Sequence, residues 1–154
     1  MVQRAEAAPG NARTGYFYED LTVGMSADYS RVISDSAMRL FADLTGDTNP
    51  LHFDDEFAER SLFKGRVVHG MCTAALISTV IGTRMPGPGC VYLSQSLRFT
   101  APVYPGDEVV ARAVVDRLIP ERCRVEFETT CCVGKRTVLS GRALTQVPSR
   151  NGSE

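Results

Sequence analysis

The chain has 154 residues, 44% of them apolar, with 17 Lys or Arg against 18 Asp or Glu. That size and composition suit one domain with a real core. The near-balance of charge argues against nucleic acid or an anionic membrane as the main partner, while leaving room for a local basic rim.

Residues 1–15 are rich in Ala, Gly and polar side chains and carry Arg4, Arg13 and Glu6. They lack the apolar core of a secretory signal. They read as a flexible N-terminal tail, and residues 148–154 as a flexible C-terminal one. Between them residues 16–147 read as a single domain, with no internal repeat or linker. The most apolar stretch, 70–82, is too short to cross a bilayer, so the expected location is the cytoplasm.

In chain order, a short strand is expected near residues 27–32. Ser34 and Asp35 then offer N-cap chemistry for a helix. Behind them Ala37, Leu40, Phe41 and Leu44 fall at i, i+3, i+4 and i+7, the expected inner face. Gly46 ends that helix as a C′ glycine does. A second short helix is expected over 54–60, with acidic residues in its first turn.

Between the two helices lies Asp47-Thr48-Asn49-Pro50-Leu51-His52. Pro50 fixes its own φ and biases Asn49 to extended backbone, so the segment reads as a stiff loop rather than a helix face. An acid and a histidine five positions apart on such a loop can both turn inward and hold one water, which suits general acid–base chemistry. Taken singly, Asp47 is an Asx-turn residue and His52 a structural histidine. Their company favours chemistry. The Asn49 amide is suited to bracing the loop backbone.

Residues 70–84 are apolar almost all round, which predicts a helix buried on most sides. Pro86-Gly87-Pro88-Gly89 stops it. His69 immediately precedes this helix and is expected to pack its start. Cys72 sits where a helix N-terminus can lower a thiol pKa, but its neighbours Met71, Ala74 and Ala75 favour plain packing. The five cysteines are odd in number and form no C-x-x-C pair, so reduced thiols are expected rather than disulfides or a metal site.

Strands follow at 91–99, 109–118, one centred on 125–133, and 137–146. Turns are expected at Pro105-Gly106, Pro120-Glu121 and Gly134-Lys135. Val125, Phe127, Thr129, Cys131 and Val133 alternate with polar residues, the period of a sheet with one buried face. A buried helix followed by an antiparallel meander predicts an α+β fold, the sheet wrapped around the helix. A chain of this size often covers the remaining sheet edge with a copy of itself.

The run from Phe41 to His52, the segment Phe63-Lys64-Gly65-Arg66-Val67-Val68-His69-Gly70-Met71, and the later Leu93 to Val103 and Pro105-Gly106-Asp107 resemble the MaoC-like, (R)-specific enoyl-CoA hydratase (hydratase-2) family. The resemblance spans roughly residues 17–146. It implies a single hotdog fold and a catalytic pair, Asp47 and His52. His52 would activate water for attack at C3 of a 2-enoyl thioester. Asp47 would hold that water and supply the proton to C2. Gly70 matches the helix-start position whose N–H faces the thioester carbonyl.

The same resemblance puts an acyl pocket beside the central helix. Asn49, Ser78 and Ile81 then become substrate-binding candidates, with core packing the default for Ser78 and Ile81. Arg66 and Arg84, with Lys64 and Arg98, become candidates to meet the coenzyme A phosphates, with solvated surface charge the default for each. The implied partner is a small-molecule acyl-CoA thioester, and the implied assembly a homodimer. No metal and no separate cofactor is expected, because coenzyme A is part of the substrate. Three rivals stand beside this reading: a hotdog thioesterase, a dehydratase of acyl-carrier-protein thioesters, and a non-catalytic thioester-binding module. Thioesterases of this shape usually aim an acid from the central helix at water, and residues 70–84 contain no Asp or Glu.

Overall fold

The computed structural model describes residues 14–152. The expected N-terminal tail therefore lies outside the described residues apart from Thr14 and Gly15. Strand β1 (Ser26–Val32) leads into helix α1 (Asp35–Thr45). The Ser34 side chain accepts from the Ala37 N–H at the start of α1, and Gly46 closes it at φ 78. That left-handed conformation is why a glycine stands there.

Helix α2 (Pro50–Phe53), helix α3 (Asp55–Arg60) and the long helix α4 (Gly70–Thr83) follow. Strands β2 (Val91–Phe99), β3 (Glu108–Ile119), β4 (Arg124–Val133) and β5 (Arg136–Gln146) complete the domain. The strands form one antiparallel sheet in the order β1-β3-β4-β5-β2. Helix α4 packs across β1, β3 and β4. This is the expected α+β hotdog arrangement, a sheet curled around one helix.

The core lies between α4 and the concave face of the sheet. Ile77, Val80 and Ile81 of α4 meet Ala111, Ala113 and Val115 of β3 and Val125, Phe127 and Cys131 of β4, all essentially inaccessible to water. Fully burying a Val, Ile or Phe contributes about 1.5–3 kcal/mol each. Buried and exposed positions alternate along β3 and β4 as the period of two requires.

The expectation for α4 is burial on most sides, and the side it leaves open is a single outer stripe. Met71, Ala75, Ser78 and Gly82, at i, i+4, i+7 and i+11, are exposed in the single chain. The sheet wraps the helix on one side only. Helix α1 also turns a different face inward. Met38 and Ala42 are buried, whereas Leu40 and Leu44 are 71% and 84% exposed. The apolar residues of this amphipathic helix cover an arc wider than the strip that meets the core, and packing against the core selects the Met38–Ala42 side of that arc.

The last described residues fold back onto the start of the domain. Arg150 donates to both carboxylate oxygens of Asp20, at 2.7 and 2.8 Å, and lies 4.6 Å from the Phe17 ring centre. The Arg150 guanidinium holds the Asp20 carboxyl below its usual range. No helix among the described residues is long and apolar enough to cross a membrane.

Candidate active site

The motif that reads as a loop contains a helix turn. Asn49 is its N-cap, with Oδ1 accepting from the Leu51 N–H at 3.0 Å, and Pro50 is its first residue. Proline is tolerated at N1, where its missing N–H would have no partner anyway. His52 is thus mounted on α2, not on a loop. Asn49 is committed to the backbone, as its bracing role requires. Asp47 stays on the connecting loop, where its Oδ1 accepts from the Asn49 N–H at 3.3 Å and its second carboxylate oxygen is left available.

The two histidines come together. His52 is 8% and His69 2% exposed, and their rings stack with centroids 3.8 Å apart at 30°. His52 Nδ1 lies 2.6 Å from the Val67 carbonyl oxygen. A carbonyl only accepts, so Nδ1 carries the proton and Nε2 presents a lone pair. His69 Nε2 lies 3.0 Å from the backbone carbonyl of Asp47, so its proton sits on Nε2 by the same reasoning.

Ligand-type atoms of Asp47, His52 and His69 all fall within 4.8 Å of one another. One water bonded at about 2.8 Å to each of two such atoms spans that gap. The trio suits a metal ion poorly. In stacked rings the in-plane lone pairs run side by side, whereas a metal at about 2.0–2.1 Å needs them to converge.

His52 lines a cavity of about 450 Å³ with Gly70, Thr73, Phe63, Phe99 and Val138 among its other walls. The lining is mainly apolar, the character of a site for a hydrocarbon chain. Asp47 is exposed and stands beside the cavity rather than in its wall. Gly70 opens α4, so its N–H has no partner within the helix and points along the positive end of the dipole. A Cβ on Gly70 would come within 2.8 Å of Phe99 Cε1. Glycine is what lets that ring lie against the helix start.

Thr73, one turn further along α4, went unmarked in the sequence. It is 2% exposed, lines the same cavity, and its Oγ1 is buried with no hydrogen-bond partner among the described residues. Ser78, Thr79 and Thr83 stand on the same helix, so residue type alone does not single Thr73 out.

The remaining expected residues fall elsewhere. Ile81 is wholly buried in the core, and Ser78 is exposed on the outer stripe of α4; neither lines the cavity. Arg84 caps the far end of α4, roughly 20 Å from Gly70 at 1.5 Å per residue. Arg66 is paired with Asp35 at 2.6 Å and Asp55 at 2.7 Å. It ties the starts of α1 and α3 together instead of presenting a free charge. Lys64 is exposed beside the cavity-lining Phe63, while Arg98 points to the face of β2 opposite Phe99. Cys72 has its thiol pushed up by burial, so it stays protonated and unreactive.

The family profile described as MaoC like domain matches residues 20–135. An (R)-specific enoyl-CoA hydratase of Rhodospirillum rubrum is 47% identical over 135 residues, covering 88% of this chain and 94% of that protein. A 3-hydroxybutyryl-CoA dehydratase of Methylorubrum extorquens is 48% identical over 138 residues, covering 90% and 88%. Among solved structures, the unliganded R-hydratase PhaJ1 of Pseudomonas aeruginosa superimposes with a TM-score of 0.83 at 38% identity, over 90% of this chain and 89% of that one.

Proposed function

The chain belongs to the MaoC-like domain family, and on that premise we propose that it catalyses the reversible (R)-specific hydration of a trans-2-enoyl-CoA to an (R)-3-hydroxyacyl-CoA. It is a hydro-lyase. The observation that carries the mechanistic reading is the tautomer of His52. With Nδ1–H committed to the Val67 carbonyl, Nε2 is left as a base at the wall of an apolar cavity.

In the hydration direction, a water held between His52 Nε2 and the Asp47 carboxylate attacks C3. Its proton passes to Nε2 as the C3–O bond forms. The π electrons move through C2 onto the thioester oxygen, and the Gly70 N–H stabilises the enolate. A preorganised donor of this kind is typically worth about 3 kcal/mol in the transition state. His52 then holds one proton too many. Passing it to C2 by way of Asp47 regenerates the thioester carbonyl, restores both side chains and completes the addition of one H₂O. The apolar lining receives the acyl chain, and Lys64 at the rim suits a coenzyme A phosphate.

The partner of this chain is a second copy of itself. Supporting that reading, β2 is a sheet edge with Val91 and Phe99 more than half exposed, and the outer stripe of α4 is open. Open sheet edges that carry apolar side chains are usually covered.

The deciding experiment is a hydration assay with crotonyl-CoA, followed by loss of enoyl-thioester absorbance, with the product offered to (R)- and (S)-specific dehydrogenases. Absorbance loss with an (R) product is expected. Release of free thiol instead would install the thioesterase reading. Activity only on acyl-carrier-protein thioesters would move the reaction to that carrier.

A further inference from the structure

His69 is not needed by the chemistry just described, yet it is the more deeply buried of the two histidines, at 2% exposure. Three aromatic rings enclose it. His52 stacks on it at 3.8 Å, Phe41 lies at 5.0 Å and Phe53 at 5.6 Å. Its Nε2–H reaches 22 residues back to the Asp47 carbonyl, and its Nδ1 is buried with no partner among the described residues. An unpaired buried nitrogen costs stability, on the order of a lost hydrogen bond. Plain packing would be better served by a phenylalanine, which fills the same space without an orphaned atom.

Its hydrogen bond and its closest ring contact both fall on the catalytic pair. The hydrogen bond fixes the backbone of Asp47, and the stack fixes the plane of the His52 ring. We propose that His69 is a positioning residue: it locks Asp47 and His52 in register by one hydrogen bond and one ring contact, and touches no substrate itself. This rests on the hydratase reading of the pair.

The physical gain is in geometry. Asp47 lies on an exposed loop outside the cavity wall, held on its carboxylate side by a single 3.3 Å bond within its own turn. Its N–H also donates to Thr45 Oγ1 at 3.3 Å, which ties it to the end of α1, so the His69 bond is the one that ties it to the side of the site where His52 stands. Misplacing one reacting group by about 1 Å can cost 100-fold in rate while leaving substrate binding intact.

Two substitutions separate the contacts. His69→Phe keeps the ring and loses the donor, and His69→Gln keeps a donor and loses the ring. Each is expected to lower kcat for crotonyl-CoA by tenfold or more with KM within about threefold of wild type. KM rising with kcat unchanged would assign His69 to substrate contact and overturn the proposal. So would wild-type kcat in both variants.

Should either variant fold poorly, the wild-type protein still decides. ¹⁵N NMR of its histidines at pH 9, where imidazoles are neutral, should show His69 as the Nε2–H tautomer and His52 as the Nδ1–H tautomer. An Nδ1–H tautomer for His69 would sink the anchor. Wild-type protein that hydrates no enoyl thioester would fail the functional reading, while the NMR result would stand or fall by itself.

Discussion

The Phe99 ring lies so close to the backbone of Gly70 that a Cβ added there would sit 2.8 Å from Cε1. Gly70→Ala must push that ring aside, and Phe99, 52% exposed, has room to swing across the helix start. The expected result is loss of kcat/KM of tenfold or more with little change in unfolding. Adding Phe99→Leu should recover part of it. The two effects, measured as a double-mutant cycle, should be clearly non-additive. Simple additivity would place the damage elsewhere.

Asp47→Asn keeps the oxygen that accepts from the Asn49 N–H and removes the charge. Because Asp47 is exposed, the variant should unfold at the wild-type urea concentration. Its hydration rate should fall by roughly 100- to 10,000-fold, the range for loss of a positioned acid–base group. Steady-state kinetics beside a denaturation curve would check both, and wild-type rates would remove Asp47 from the mechanism.

Thr73→Val replaces a buried, unpartnered hydroxyl by a methyl of nearly the same volume. Leaving such a group unpaired costs about 1–3 kcal/mol. The valine variant should therefore be more stable, by about 1 kcal/mol in urea titration. A loss of stability would mean that the hydroxyl is bonded to water in solution.

The C-terminal clip should depend on pH. The Arg150 guanidinium lowers the Asp20 carboxyl pKa in the folded protein. A depressed folded value means that the contribution is present above the unfolded aspartate pKa, about 3.9, and is lost as pH falls through the lower folded value. NMR titration should find Asp20 below the usual range in wild type and back within it in Arg150→Ala. Hydration activity should be unchanged, since the clip lies apart from the cavity.

Light scattering at micromolar concentration should return twice the 16.8 kDa chain mass. A monomer would leave the β2 edge and the outer stripe of α4 bare and would refute the assembly.

The parts legible in the sequence are those governed by short-range backbone rules. Ser34 caps α1 and Gly46 ends it, because a side-chain acceptor and a left-handed residue are local requirements. The period of two in β4 sets which residues face the core. The order of Asp47, Asn49, Pro50 and His52 suits acid–base chemistry by residue type, and its resemblance to the MaoC-like motif is what points to a reaction.

Pro50 misleads only in part. Its fixed φ suits a stiff loop and equally the first residue of α2, and neighbours in space settle which occurs. Tertiary structure alone chose Met38 and Ala42 over Leu40 and Leu44 as the inner face of α1, since all four lie on one broad apolar side of the helix. It alone placed the 450 Å³ cavity by Gly70 and away from Ser78 and Ile81. It alone spent the charge of Arg66 on Asp35, 31 residues away, and laid His69 against His52. Local preference is encoded within a turn or a strand. Which distant side chains come to share one site depends on how the whole sheet closes over α4, and no short window of sequence contains that information.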